Sequence, residues 1–392
     1  MIPFQEAYDT VMAAARLQLT EPVDYRQSVG RILAQDIHAT MPMPPFDKAM
    51  VDGYACRRAD LHEPLTLLET IQAGYGSPKP IEAGQCSKIM TGAVVPEGAD
   101  CVFMVEQSAE DDGTVRFTGE TTNDNIVPLA KDVQKNDLLL PTGHRIHTHD
   151  VAVLASMGHL RPMVYCQPSV GIVATGDELV EPEFTPGPAQ IRNSNAYHLA
   201  AQVESIGLTP TYEGIARDNQ DSLDAKIGSA IANNDVVLIS GGVSMGEFDL
   251  VPGVLKKNGI TIVFDKVAVQ PGKPTVFGYS DSTFCFGLPG NPVSSYVIFE
   301  TLVKPFLFKL MDYDYRPPTL RAPLADAFTR KAGTRSVWFP VTFTEEGTVR
   351  RMEYHGSAHI NALSGADGLA CVPQGITELG PGEAVTVRLI RM

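Results

Sequence analysis

The spacing of apolar residues changes along the chain, and each stretch predicts a different kind of structure. Phe4, Tyr8 and Val11 fall on one face of a helix over residues 3–16, with Pro3 suited to its first turn. From residue 41 to 127 the apolar runs are short and split by Gly, Pro and Asp. LTLLETI (65–71), CSKIM (86–90), DCVFMVEQ (100–107) and GTVRFTG (113–119) read as strands of a small β-rich lobe. Residues 128–167 carry a helix from Thr148 to Met157, stopped by Gly158. This segment is expected to return onto the first helix, making one discontinuous domain with residues 1–40.

Residues 168–311 alternate between two periods. SVGIVAT, DVVLIS and TFCFGL are buried-type strands. SNAYHLAAQVESIG is a helix with Ser194 as N-cap and Leu199, Val203 and Ile206 on one face. Further helices follow over 221–234, 248–259 and 291–303, the last with Asn291 as N-cap and Pro292 at its first position. Alternating strands and helices predict a parallel or mixed sheet covered on both faces. YDYRPPTL reads as a linker, and the runs after it predict a C-terminal β-barrel or sandwich over 312–392, with Trp338 in its core. The fold class is therefore multidomain, α/β plus β.

Composition narrows the function. The 392 residues are 44% apolar and 20% charged, as in an ordinary soluble globular protein. A net charge of −15 makes the chain a poor partner for nucleic acid or an anionic membrane. A phosphate-bearing ligand would need cations, backbone amides or a metal gathered locally. No apolar run approaches 18 residues, and the first ten residues lack a secretory pattern. Six scattered cysteines without a CxxC read as reduced thiols in the cytoplasm.

The unusual residues cluster at strand exits. Gly176-Asp177-Glu178, the run Gly241 to Asp249, and Pro289-Gly290-Asn291-Pro292 each follow a predicted strand. Glycine admits a ligand close to the backbone, and helix starts favour anions. No P-loop is present and no GxGxxG follows the first strand. Glu178, Asp218 and Asp249 are candidate Mg²⁺ ligands, although Arg217-Asp218-Asn219 precedes a helix, where capping competes. His144, His147 and His149 have metal-like spacing but no carboxylate partner evident in the sequence, and read as a solvated loop.

TGDEL (175–179), QIRNSN (190–195), RDN (217–219), SGGVSMGEFD (240–249), PGKPT (271–275) and GLPGNPVSS (287–295) occur in that order, with PPFDKAMVDGYA (44–55) and MTGAVVPEGAD (90–100) before them and HGSAHI (355–360) and ADGLACVP (366–373) after. Together they resemble the molybdopterin molybdenumtransferase family, the bacterial MoeA type, related to the E domain of gephyrin. The resemblance covers nearly the whole chain. It implies four domains in an elongated homodimer: a helical/linker domain over 1–40 and 128–167, a β-rich lobe over 41–127, an α/β/α molybdopterin-binding domain over 168–311, and a β-barrel over 312–392. It also implies insertion of molybdate into adenylylated molybdopterin, with Mg²⁺-dependent release of AMP. A molybdopterin adenylyltransferase and molybdoenzymes or their chaperones are the implied partners.

Carried over residue by residue, Glu178, Asp218 and Asp249 serve Mg²⁺ and the attacking water. Gly241, Gly242, Ser244 and Gly246 cradle phosphate, beside Thr175, Gly176, Asp177, Pro289 and Asn291. Lys273 and Ser294 hold molybdate, with Lys266 adding charge nearby. Asp52 and Thr91 reach the site from the partner subunit, while Arg335 and Ser357 close over the oxyanion. Gln270 stands where some members carry a basic residue, which opens a preference for tungstate over molybdate. Two other readings compete: a non-catalytic scaffold, and a related adenylyltransferase or nucleotide pyrophosphatase.

Overall fold

The structure, a computed structural model, describes residues 1–76, 79–243, 250–353 and 355–391. Its centre is a six-stranded sheet. In chain order the strands are β1 (Val170–Thr175), β2 (Pro210–Ala216), β3 (Val236–Ser240), β4 (Thr261–Phe264), β5 (Val276–Tyr279) and β6 (Phe284–Leu288). They lie side by side in the order β2-β1-β3-β6-β5-β4. The first four of that row are parallel, and β5 and β4 complete it in antiparallel pairs. The sequence pattern missed β2, β4 and β5.

Every residue of β1, β3 and β6 is buried, because helices cover both faces of the sheet. Alternate side chains go to opposite cores. Val170, Ile172 and Ala174 of β1 join Val236 and Leu238 of β3 and Phe284 and Phe286 of β6 in one cluster. Val173, Val237, Ile239 and Cys285 face the other way. The helices α1 (Asn195–Glu204) and α4 (Pro292–Ile298) pack on the first face, and α2 (Gln220–Asn233) and α3 (Val251–Lys257) on the second.

Two helix starts differ from expectation. Asn193, not Ser194, caps α1: its Oδ1 accepts from the Ala196 amide at 3.2 Å, whereas the Ser194 side chain makes no capping bond. Asn291 holds the expected N-cap position of α4, with Pro292 after it, but its side chain makes no capping bond. At α2, Asn219 accepts from the Ser222 amide at 3.0 Å, so the cap is Asn219 and not Asp218. Past α4 the helix widens to a π turn over Phe299–Val303 before continuing as Lys304–Lys309. Pro305 lacks the amide that would bond the Thr301 carbonyl, so the regular ladder cannot run through this point.

The flanking parts position this centre. The helix Phe4–Ala13 buries Ala7 and Val11 in the central core, against Lys304–Lys309. Segment 128–167 packs mainly elsewhere: Leu138–Leu140 pairs with Ile37–His38, and Met163–Tyr165 with Thr20–Pro22. Leu33, Ile37, Leu140, Ile146, Leu154 and Val164 form their shared core. The β-rich lobe is a six-stranded sheet around Gly53–Cys56 and Gln85–Ile89. In the C-terminal region Ser336–Phe343 is the long strand, and Val269–Gln270 from the central region pairs with it in parallel. Trp338 therefore lies in the core shared with the central domain, not in that of the C-terminal sheet alone. The histidine reading also changes. Asp150, buried at 3% exposure, binds His144 Nε2 at 2.7 Å and the His147 amide at 2.7 Å, so a carboxylate does organise this turn. Among the described residues no helix is long and apolar enough to cross a membrane.

Candidate active site

In the order β2-β1-β3, the chain crosses from one side of β1 to the other. Such a switch point leaves a crevice beyond the carboxyl ends of the strands. A cavity of about 650 Å³ lies there. Its wall contains Thr175 at the end of β1 with Gly176 and Glu178 after it, Ser240 at the end of β3 with Gly241 and Gly242 after it, Pro289, Gly290 and Asn291 after β6, and Asp218 after β2.

Hydrogen bonds lock these exits together. Thr175 Oγ1 donates to the Ser240 carbonyl at 3.4 Å, and the Gly241 amide to the Leu288 carbonyl at 3.0 Å. Asn195 Nδ2 donates to both Ser240 Oγ and the Gly290 carbonyl at 2.8 Å. Gly241 has φ +97°, and a methyl built on it would sit 2.6 Å from the Thr175 carbonyl oxygen. Only glycine fits that position without strain.

The acidic rim is braced from behind. The Asp177 amide donates to Asp218 Oδ2 at 3.3 Å, and the Asp218 amide returns a bond to Asp177 Oδ1 at 3.2 Å. Arg217 Nη1 donates to the carbonyls of Asp177 and Leu179 at 3.1 Å. Asp177 thus braces the rim without lining the cavity. Glu178 is exposed, and its carboxylate has no hydrogen-bond partner among the described residues.

The C-terminal region supplies a cover. Ala358 and Ile360 line the cavity. They are held by Ser357, whose carbonyl accepts from the Val293 amide at 3.0 Å and whose Oγ accepts from Asn291 Nδ2 at 2.8 Å. Asn291 is thus engaged in joining the two regions.

Several expected residues lie outside this wall. Lys273 is exposed beside Pro274, which does line the cavity. Ser294 is buried within α4 at 4% exposure. Lys266 is half-buried, and Gln270 is exposed in the two-residue strand that joins the C-terminal sheet. The Arg335 carbonyl accepts from Arg330 Nη1 at 2.5 Å. Asp52 and Thr91 form a pair in the β-rich lobe: Asp52 Oδ1 accepts from the Thr91 amide at 2.6 Å and from Thr91 Oγ1 at 2.7 Å. Those bonds hold the Asp52 carboxyl below its ordinary pKa. Ser244, Gly246 and Asp249 lie outside the described residues.

Sequence reasoning gave Ile191, Arg192, Asn193, Ser194 and Asn195 no part in the site, yet they line one side of the cavity. The QIRNSN run returns there because Leu179–Val180 and Ile191–Arg192 pair in parallel across the loop 181–190. Nothing in the local pattern signals so short a ladder.

Known proteins match the chain from end to end. Family models described as the MoeA N-terminal region (domain I and II), the probable molybdopterin binding domain and the MoeA C-terminal region (domain IV) match residues 2–158, 171–309 and 321–390. A protein named molybdopterin molybdenumtransferase from Bacillus subtilis is 34% identical, covering 100% of this chain and 94% of its own. One of the same name from Staphylococcus epidermidis is 34% identical over 94% of this chain and 90% of its own. The crystal structure of a molybdopterin biosynthesis MoeA protein from Pyrococcus horikoshii superposes with a TM-score of 0.86 at 30% identity, covering 100% of both chains. With full-length identity above 30%, a shared architecture and a cavity at the switch point of its molybdopterin-binding region, the chain belongs to the molybdopterin molybdenumtransferase family.

Proposed function

We propose that this transferase of molybdenum cofactor biosynthesis inserts molybdate, or tungstate, into the dithiolene of adenylylated molybdopterin and releases AMP. The observation that carries this reading is the convergence of the β1, β3 and β6 exits on one cavity rimmed by Glu178 and Asp218. Its volume, about 650 Å³, suits a ligand of this size. The glycine turn after β3 admits the phosphate link close to the backbone. The unpartnered Glu178 carboxylate can accept a proton from the attacking water.

The donor set fits Mg²⁺. Glu178 and Asp218 offer carboxylate oxygens, and no imidazole or thiol lines the wall among the described residues. Glu178 and Asp218, with Asp249 as the third expected ligand, would hold Mg²⁺. Bound there, the ion would neutralise charge on the pyrophosphate link.

In the same reading, Lys273, Ser294, Lys266 and Gln270 form the oxyanion subsite beside Pro274, with Arg335 and Ser357 closing it. The protein works as an elongated cytoplasmic homodimer, and Asp52 with Thr91 completes the partner's cavity. The pairings of 20–38 with 138–165 support the discontinuous domain, and the Leu324–Val349 bridge supports closure of the C-terminal sheet into a barrel. A molybdopterin adenylyltransferase supplies the substrate, and molybdoenzymes or their chaperones take the product.

The test is AMP release by the purified protein from adenylylated molybdopterin. Release that requires both molybdate and Mg²⁺ is the expected result. Tight binding without release would assign a scaffold instead, and release indifferent to molybdate would assign a nucleotide pyrophosphatase.

A further inference from the structure

We infer that Arg192 binds the phosphate of the nucleotide-linked substrate; the inference rests on the function proposed above. The cavity wall has a charge problem. Its ionised side chains Glu178 and Asp218 are both acidic, the whole chain carries −15, and the ligand to be held is a polyanion. Among the described residues, Arg192 is the one Lys, Arg or His side chain in the wall. Lys266 and Lys273 are not part of it.

Arg192 is also oriented. Its Nε donates to the Pro182 carbonyl at 3.0 Å, which uses one edge of the guanidinium. The two terminal nitrogens have no partner among the described residues, so a fork of N–H donors remains for an incoming oxyanion. The anchor is itself fixed. Glu181, next to Pro182, accepts from Tyr212 Oη at 2.6 Å and from Tyr197 Oη at 3.1 Å. Arg192 pairs with Val180 in the short ladder, two residues beyond Glu178, so the cation and the acidic rim share one edge of the cavity. A surface arginine held only by solvent would need neither the Pro182 anchor nor a place in the wall.

The test is calorimetric titration of AMP and of adenosine into the full-length protein, wild type and Arg192→Gln. Loss of a charge-assisted bond should weaken AMP binding on the order of 10- to 100-fold. Adenosine, which lacks the phosphate, should bind both proteins alike. Arg192→Lys should recover part of the loss, since it keeps the charge without the fork. Arg192 is exposed, so the variants should melt within about 2 °C of wild type. AMP affinity within twofold of wild type in Arg192→Gln would overturn the inference, as would an equal loss for AMP and adenosine. If the wild type itself bound no AMP and released none from the adenylylated pterin, the underlying function would fall instead.

Discussion

Asp52 and Thr91 show how a single exposed pair can be tuned before any ligand arrives. The Thr91 hydroxyl and amide both donate to Asp52 Oδ1, and these bonds outweigh a small desolvation effect to lower the carboxyl pKa. A depressed folded-state pKa stabilises the native protein above the unfolded pKa, and that contribution disappears as pH falls through the folded value. Thr91→Val removes the stronger donor. The Asp52 carboxyl should then titrate at higher pH, read by carbon-detected NMR, and the acid-side loss of stability should become shallower. An unchanged Asp52 titration would remove Thr91 as its cause. Glu178 gives the opposite case, an exposed acid that holds nothing up. Glu178→Gln should abolish AMP release while shifting unfolding free energy by less than about 0.5 kcal/mol. At this scale Glu178 was legible in the sequence, because glycine and carboxylates together follow a buried-type strand, whereas Asp218 follows a strand the pattern missed and was picked out only as an acid before a helix. The brace by Arg217 and the wall residue Arg192 were not, since their roles depend on carbonyls brought close only by folding.

Turns between elements decide whether the three strand exits meet. Gly241 combines φ +97° with a Cβ position 2.6 Å from the Thr175 carbonyl oxygen. Gly241→Ala should therefore cost about 1–3 kcal/mol, from backbone strain and from pushing β3 off β1. Urea unfolding measures it, and a change under about 0.5 kcal/mol would mean that the turn relaxes freely. The buried strands β1, β3 and β6 were legible because each is an apolar run too short for a helix and is followed by glycine or proline, at Gly176, Gly241 and Pro289. β2 was hidden by Pro210 at its start and by Gly214, whose φ of +94° marks an irregularity in the pairing with β1. β4 sits at the sheet edge with half-exposed positions, so its pattern is weak. Helix caps were misassigned for a related reason. Asn193 and Ser194 offer equivalent local chemistry, and only the path of the preceding ladder selects Asn193.

Across the whole molecule, the C-terminal region hangs on one long helical segment at two points. Near its start, Ser357 bonds Asn291 and the Val293 amide. Two turns later, buried Arg388 donates to the Glu300 carbonyl in the π turn while lying 5.5 Å over the Trp338 ring. The cover residues Ala358 and Ile360 are thus set by the docking of a domain, which no short motif records. Neither Asp52 nor Thr91 lines the cavity of its own chain, and that separation makes the homodimer testable through catalysis. Glu178→Gln lacks the rim acid but keeps an intact β-rich lobe. Asp52→Ala lacks the lobe residue but keeps an intact cavity. Each homodimer should be inactive. In a verified heterodimer one cavity combines an intact rim from one chain with an intact lobe from the other, and the second cavity carries both defects. If sites are built from both chains, the heterodimer should recover about half of wild-type AMP release per dimer, one working site of two. If each site belongs to one chain, every cavity in the mixture keeps one defect, and the heterodimer should stay as inactive as its parents.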